Sequence, residues 1–134
     1  MSLETESNSL TTSGITVKVE TNFISEQTSA QNAHYSFAYR ITIQNNSDYT
    51  VRLLSRKWIL TDALGKVRTV EGEGVVGKQP VIAPGQSHVY VSGTNFPTPF
   101  GKMEGHYTMK RMLDEQEFEV GIPVFILEYP FVLN

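Results

Sequence analysis

No cysteine occurs among the 134 residues of this chain. That absence removes disulfide staples, thiolate nucleophiles and cysteine-ligated zinc together, and it fits a reducing compartment. An excess of charge is missing as well. Eleven basic against fourteen acidic residues leave a formal net charge of -3, so nothing electrostatic argues for nucleic acid or an anionic membrane as a partner. Long apolar runs are also lacking. Val124 to Leu127, ahead of Pro130, falls far short of a bilayer span, and the first residues have neither the basic start nor the apolar stretch of a secretory signal. The expectation is a cytoplasmic protein with no membrane insertion. A chain of this length suits one domain that buries roughly two thirds of its unfolded surface without staples.

What is present is period two. Tyr35, Phe37, Tyr39, Ile41 and Ile43 alternate with Ser36, Ala38, Arg40, Thr42 and Gln44, which buries one face of an extended strand and wets the other. Ile15 to Glu20, His88 to Ser92 and Glu117 to Ile122 repeat the pattern. From Val51 to Leu60 the phase slips, since Val51 and Leu53 are odd whereas Trp58 and Leu60 are even; a bulge or bend near Ser55 accounts for it. Turn residues separate the runs at Asn45 to Asp48, Asp62 to Gly65, Pro84-Gly85 and Leu113 to Gln116. No window carries a helical stripe. Short antiparallel strands with one apolar face each predict an all-β, seven-stranded antiparallel sandwich, with a small barrel as the alternative. The Ser/Thr-rich residues 1–13 read as a flexible N-terminal tail and 14–134 as the folded unit. Gly105-His106-Tyr107, opening the penultimate strand, resembles the tyrosine corner of immunoglobulin-like domains.

The densest motif is Gly72-Glu73-Gly74-Val75-Val76-Gly77-Lys78-Gln79. Its glycine spacing satisfies both the dinucleotide fingerprint and the P-loop, but each of those needs a helix to begin at the turn. Pro80 forbids one there, Gln79 replaces the hydroxyl that a P-loop offers magnesium, and no acid follows about twenty residues on to hold a ribose. The run reads as a loop between strands. As such it is the candidate contact for a protein partner, or a backbone nest for phosphate or pyrophosphate with Lys78 adding charge. Phe96 and Phe100, in a proline-rich segment, are a further candidate partner surface. The apolar C-terminal run from Tyr129 to Leu133 is a second candidate surface for a partner or a sheet edge if exposed, with packing onto the fold the favoured reading.

The ingredients of catalysis are dispersed. His34, His88 and His106 stand singly, without the spacing of a metal site. Gly85-Gln86-Ser87-His88-Val89 departs from a nucleophile elbow at Val89. Glu71 and Glu73 lie on one side of an extended segment, with only Gly72 between them, and no pocket wall is evident. Asp62, Glu71, Glu73 and Glu104 are oxygen donors suited to a hard divalent cation, although alternating carboxylates also keep any sandwich face wet. The reading is of no catalytic residue, no metal site and no cofactor.

Trp58 to Asp62, Gly65, Gly72 to Pro80, Ala83-Pro84-Gly85, Tyr90, Ser92-Gly93, the Gly101 to Met109 run and Ile122 to Phe125 together resemble the ApaG family, over about Gly14 to Leu127. The resemblance implies a fibronectin type III-like sandwich and no established enzymatic activity. It also implies a bacterial protein genetically linked to cobalt tolerance and magnesium efflux. In eukaryotes the same domain is joined to F-box and polymerase-interacting proteins, company that suggests a binding module whose partner is a protein.

Overall fold

The computed structural model describes residues 6–130. They form β1 (Glu6–Thr12), β2 (Ile15–Ser29), β3 (His34–Asn45), β4 (Val51–Asp62), β5 (Val67–Glu73), β6 (Val81–Ile82), β7 (Ser87–Phe96), β8 (Phe100–Arg111) and β9 (Glu117–Glu128). One sheet runs β1-β2-β3-β7 and the other β5-β4-β8-β9, with β6 paired to β4, and every pairing is antiparallel. Among the described residues the only helical turn is the 3-10 segment Ala30–Asn32.

Three strands, β2-β3-β7, against four, β5-β4-β8-β9, make the seven-stranded sandwich expected from the alternation, in the fibronectin type III-like form that the family resemblance implies. The additions to seven strands are β1 and the two-residue β6. β1 corrects the N-terminal expectation. Glu6 to Thr12 is not a tail; it turns at Ser13-Gly14 and pairs with β2 from Thr12↔Ile15 to Glu6↔Thr21. Serine and threonine hide a strand well, because a two-sided polar ribbon lacks the apolar alternation by which strands are recognised. Met1 to Thr5 lie outside the described residues.

The alternating positions predicted to face inward do so. Ile15, Val17 and Val19 of β2 and Phe37, Tyr39, Ile41 and Ile43 of β3 meet Leu53, Trp58, Leu60, Met103, Met109, Val120 and Phe125 of the opposite sheet, all buried. Tyr39, Trp58 and Phe125 form an aromatic triad with ring centroids 5.6 to 5.9 Å apart, Trp58 edge-on to both partners and Tyr39 tilted against Phe125, the spacing at which aromatic pairs gain beyond area burial. At one end of this core, Tyr129 packs edge-on against Phe23 and Tyr35, at 5.0 and 5.3 Å. Phe131 to Leu133 fall outside the described residues.

Turn chemistry follows the sequence closely. Asn45 is fully buried; its Oδ1 accepts from the Ser47 amide and its Nδ2 donates to the carbonyls of Tyr49 and Ile82. Asp62 Oδ1 accepts from the amides of Leu64 and Lys66. The expected tyrosine corner is absent at Tyr107, which lies mid-strand in β8; its hydroxyl meets Tyr90 Oη at 2.5 Å instead of a backbone group.

Candidate functional site

The β4 bulge anticipated near Ser55 exists, with the β4–β8 register shifting between Leu53 and Ser55. A bulge takes one residue out of the ladder and leaves its backbone free to bond elsewhere. Here that residue is Leu54. Its carbonyl accepts from the Gly74 amide at 2.8 Å and from Gln79 Nε2 at 2.9 Å, and the Leu53 amide donates to the Pro80 carbonyl at 3.0 Å. The glycine segment is thus stapled at both ends to one irregularity in a neighbouring strand.

Between those staples the chain makes a tight hairpin. Val75 and Lys78 exchange both backbone hydrogen bonds, 2.7 and 3.0 Å long, across a two-residue turn of Val76 (φ 49°) and Gly77 (φ 75°). Two successive positive φ angles define a type I′ turn. No helix starts here, as the proline required. Gly74 cannot be replaced without cost, for a Cβ on it would stand 2.1 Å from the Lys78 carbonyl oxygen.

The eight predicted residues, Gly72 to Gln79, do come together, but they divide into anchor and tip. Val75 is 1% exposed and belongs to the core, whereas Val76 is 61% exposed; Gly77, Lys78 and Gln79 are exposed with it. The amides of Gly74, Val75 and Lys78 are all bonded to protein carbonyls, which leaves the imagined phosphate nest without three of its donors.

Sequence reasoning missed Arg56. Its Nη1 donates to the carbonyls of Glu73 and Gly74 at 3.0 and 2.9 Å, and the guanidinium lies against Gly72, whose missing Cβ would stand 2.7 Å away. The only signal was the phase slip, which turns Arg56 inward alongside Trp58. Behind it are three tyrosines whose titration feels the guanidinium charge. Burial is the largest influence on Tyr39, Tyr90 and Tyr107 and raises all three hydroxyls above the usual phenol range; Ser92 hydrogen-bonds Tyr39 and opposes its shift. The tyrosines stay neutral, so the polar floor beneath the hairpin offers hydroxyls and no base.

The Phe96 half of the proposed aromatic surface is overturned. Phe96 is buried, 6.3 Å from the Phe37 ring and over Gly101, where a Cβ would come within 2.5 Å of its ring; Arg68 caps it at 5.7 Å. A large ring at the end of an edge strand gains most by folding over the core. Phe100 remains exposed. The carboxylates do not converge: Glu71 pairs with Lys57, Glu104 with Lys102, and Asp62 is spent on its turn. Among the described residues no three His, Asp or Glu side chains gather as metal donors. His88 lies near the hairpin, and its imidazolium is disfavoured first by burial and then by the Lys78 charge. No helix among the described residues is long and apolar enough to cross a membrane.

A fibronectin type III-like sandwich carrying a bulge-stapled glycine hairpin defines the class. Comparison with known proteins narrows it. Residues 25–111 match the ApaG domain. Protein ApaG of Vibrio campbellii is 49% identical over 122 residues, spanning 90% of this chain and 94% of that protein, and the Protein ApaG of a Methylobacterium is 47% identical over 90% and 92%. The crystal structure of the putative ApaA protein from Bordetella pertussis superposes with a TM-score of 0.84 at 39% identity, covering 88% and 95% of the two chains. The chain belongs to the ApaG family.

Proposed function

We propose that this chain is a non-enzymatic, cytoplasmic protein-interaction module whose recognition element is the hairpin tip from Val76 to Gln79. The observation that carries the reading is Val76: a β-branched residue at φ 49° and 61% exposed. The left-handed region costs such a residue about 1 to 2 kcal/mol, and Asn or Gly suits a type I′ turn far better. Strain at an exposed apolar side chain, held by an over-determined frame, points to use of that side chain. The frame is the buried Val75, the Leu54 carbonyl and Arg56. Such a rigid tip loses little freedom on binding. The link to cobalt tolerance and magnesium efflux that the resemblance implies then runs through the partner, with no cation held by this domain.

The test is quantitative affinity capture from native lysate with the wild type, Val76→Gly and Val76→Asp. Val75 is left alone because charging a buried residue would unfold the domain and confound the result. Both variants are expected to stay folded and to lose the same partner, with Val76→Gly gaining about 1 kcal/mol in urea unfolding as the strain is released. Undiminished capture of that partner by Val76→Asp would sink the assignment.

A further inference from the structure

The lateral edges of the two sheets are protected unequally. Natural edge strands avoid pairing with strangers by charge, proline, bulges, shortness or cover. β5 carries Arg68, Glu71 and Glu73 in seven residues. β9 contains Pro123 and pairs with β8 across a register shift between Met103 and Gly105. β1 is short, and its Asn8 Nδ2 donates to the Val124 carbonyl of β9. Apart from cover by Arg68 at its Thr94-Asn95 end, β7 has none of these devices. Its ten residues, Ser87-His88-Val89-Tyr90-Val91-Ser92-Gly93-Thr94-Asn95-Phe96, include no Lys, Arg, Asp, Glu or Pro, and its register with β3 is unbroken from Ser87 to Phe96.

The hydrogen-bonding phase says which backbone groups face outward. The Asn45 amide donates to Gln86 and the Asn45 carbonyl accepts from Gly85. Alternation along an antiparallel pair then turns His88, Tyr90, Ser92 and Thr94 toward β3, and Val89, Val91, Gly93 and Asn95 toward the open edge. Arg68 agrees with that phase: its Nη2 donates to the Asn95 carbonyl at 2.5 Å and caps that end. The uncapped stretch is Val89 to Gly93. The same residues put apolar side chains on the outer face, Val89 44% and Val91 60% exposed.

We infer that β7 pairs antiparallel with β7 of a second copy of this chain, joining the two four-stranded sheets into one. A twofold axis through Val91 sets Val91 against its own counterpart and Val89 against Gly93, whose missing side chain leaves room. An uncharged edge meeting itself brings no like charges together, which suits a copy of the chain better than a charged partner strand. One strand pair buries little surface by the standard of stable dimers, so the association is weak and concentration-dependent.

Val91 is opposite Arg40 of β3, which supplies a sharp test. Val91→Glu gains an ion-pair partner within one chain but sets carboxylate against carboxylate across the twofold axis, whereas Val91→Thr keeps a strand-forming, uncharged residue. Sedimentation velocity on the full chain from about 1 to about 300 µM is expected to show the wild type and Val91→Thr passing from monomer to dimer. Val91→Glu should remain monomeric with an unchanged thermal midpoint, and only in the dimerising proteins should exchange of the Val89, Val91 and Gly93 amides slow with concentration. A monomeric wild type throughout that range overturns the inference, and so does a Val91→Glu protein that dimerises like the wild type.

Discussion

The two sides of the sandwich are closed by different means. On the β1/β9 side, short neutral groups stitch one sheet to the other: Thr12 Oγ1 accepts from the Gly121 amide at 3.2 Å, Asn8 donates to Val124, and Leu10 lies over Gly121, whose Cβ would stand 2.9 Å from it. On the β5/β7 side guanidinium groups take over: that of Arg68 reaches from β5 to β7 of the other sheet, whereas that of Arg56 braces the hairpin to β4 within one sheet. Arg56 holds the carbonyls of the hairpin, Arg68 holds that of Asn95, and the Val75 side chain is buried in the core. Stitching by strands covers both edges and leaves nothing to offer, whereas closure by a loop and two long side chains leaves a tip and a strand edge in water. Binding surfaces arise where a fold is closed by a loop.

Val75→Asp should break this comparison most severely, because a charge at a 1% exposed position has no partner; a loss of more than about 3 kcal/mol in urea unfolding is expected. Arg56→Ala comes next. It strips the Glu73 and Gly74 carbonyls of their donor and should cost about 2 kcal/mol, with amide exchange accelerating in the hairpin before the rest of the fold. On the stitched side, Thr12→Val keeps the shape but removes the acceptor for Gly121, for a loss of about 1 kcal/mol. Its effect should be confined to β1 and β9. If Thr12→Val loosened the hairpin as Arg56→Ala does, the two sides would not be independent.

The smallest expected effect is electrostatic. His88 has a lowered pKa in the folded state, chiefly from burial and then from Lys78, so between that value and 6.5 the unfolded chain binds more protons. The His88 contribution to stability is complete above about pH 6.5 and is lost as the pH drops through that window. Lys78→Met removes the second cause only. NMR titration should show the His88 pKa rising part of the way toward the ordinary value, with a smaller difference in thermal midpoint between pH 7 and pH 5.

Much of the fold was legible because alternation is a local signal. Tyr35 to Ile43 had to lie with one face in a core whatever they met, and Pro80 had to exclude a helix. The slip between Leu53 and Trp58 announced a bulge. What the slip could not announce was its purpose, since the Leu54 carbonyl finds Gly74 and Gln79 only once β4 and the hairpin are neighbours. β5 escaped detection for a related reason: nearly every residue from Val67 to Glu73 is exposed, and a strand with no buried face has no period to read.

The one-dimensional pattern by itself determined that this chain would be pleated, two-layered and without a phosphate-binding helix, because backbone geometry and period-two burial are decided within a few residues. Only the assembled sandwich decided that Val75 is core and Val76 is surface, that Phe96 is roofed by Arg68, and that β7 is left without a guard. Those outcomes depend on which groups from distant strands arrive beside each residue, and adjacent valines carry no mark of it.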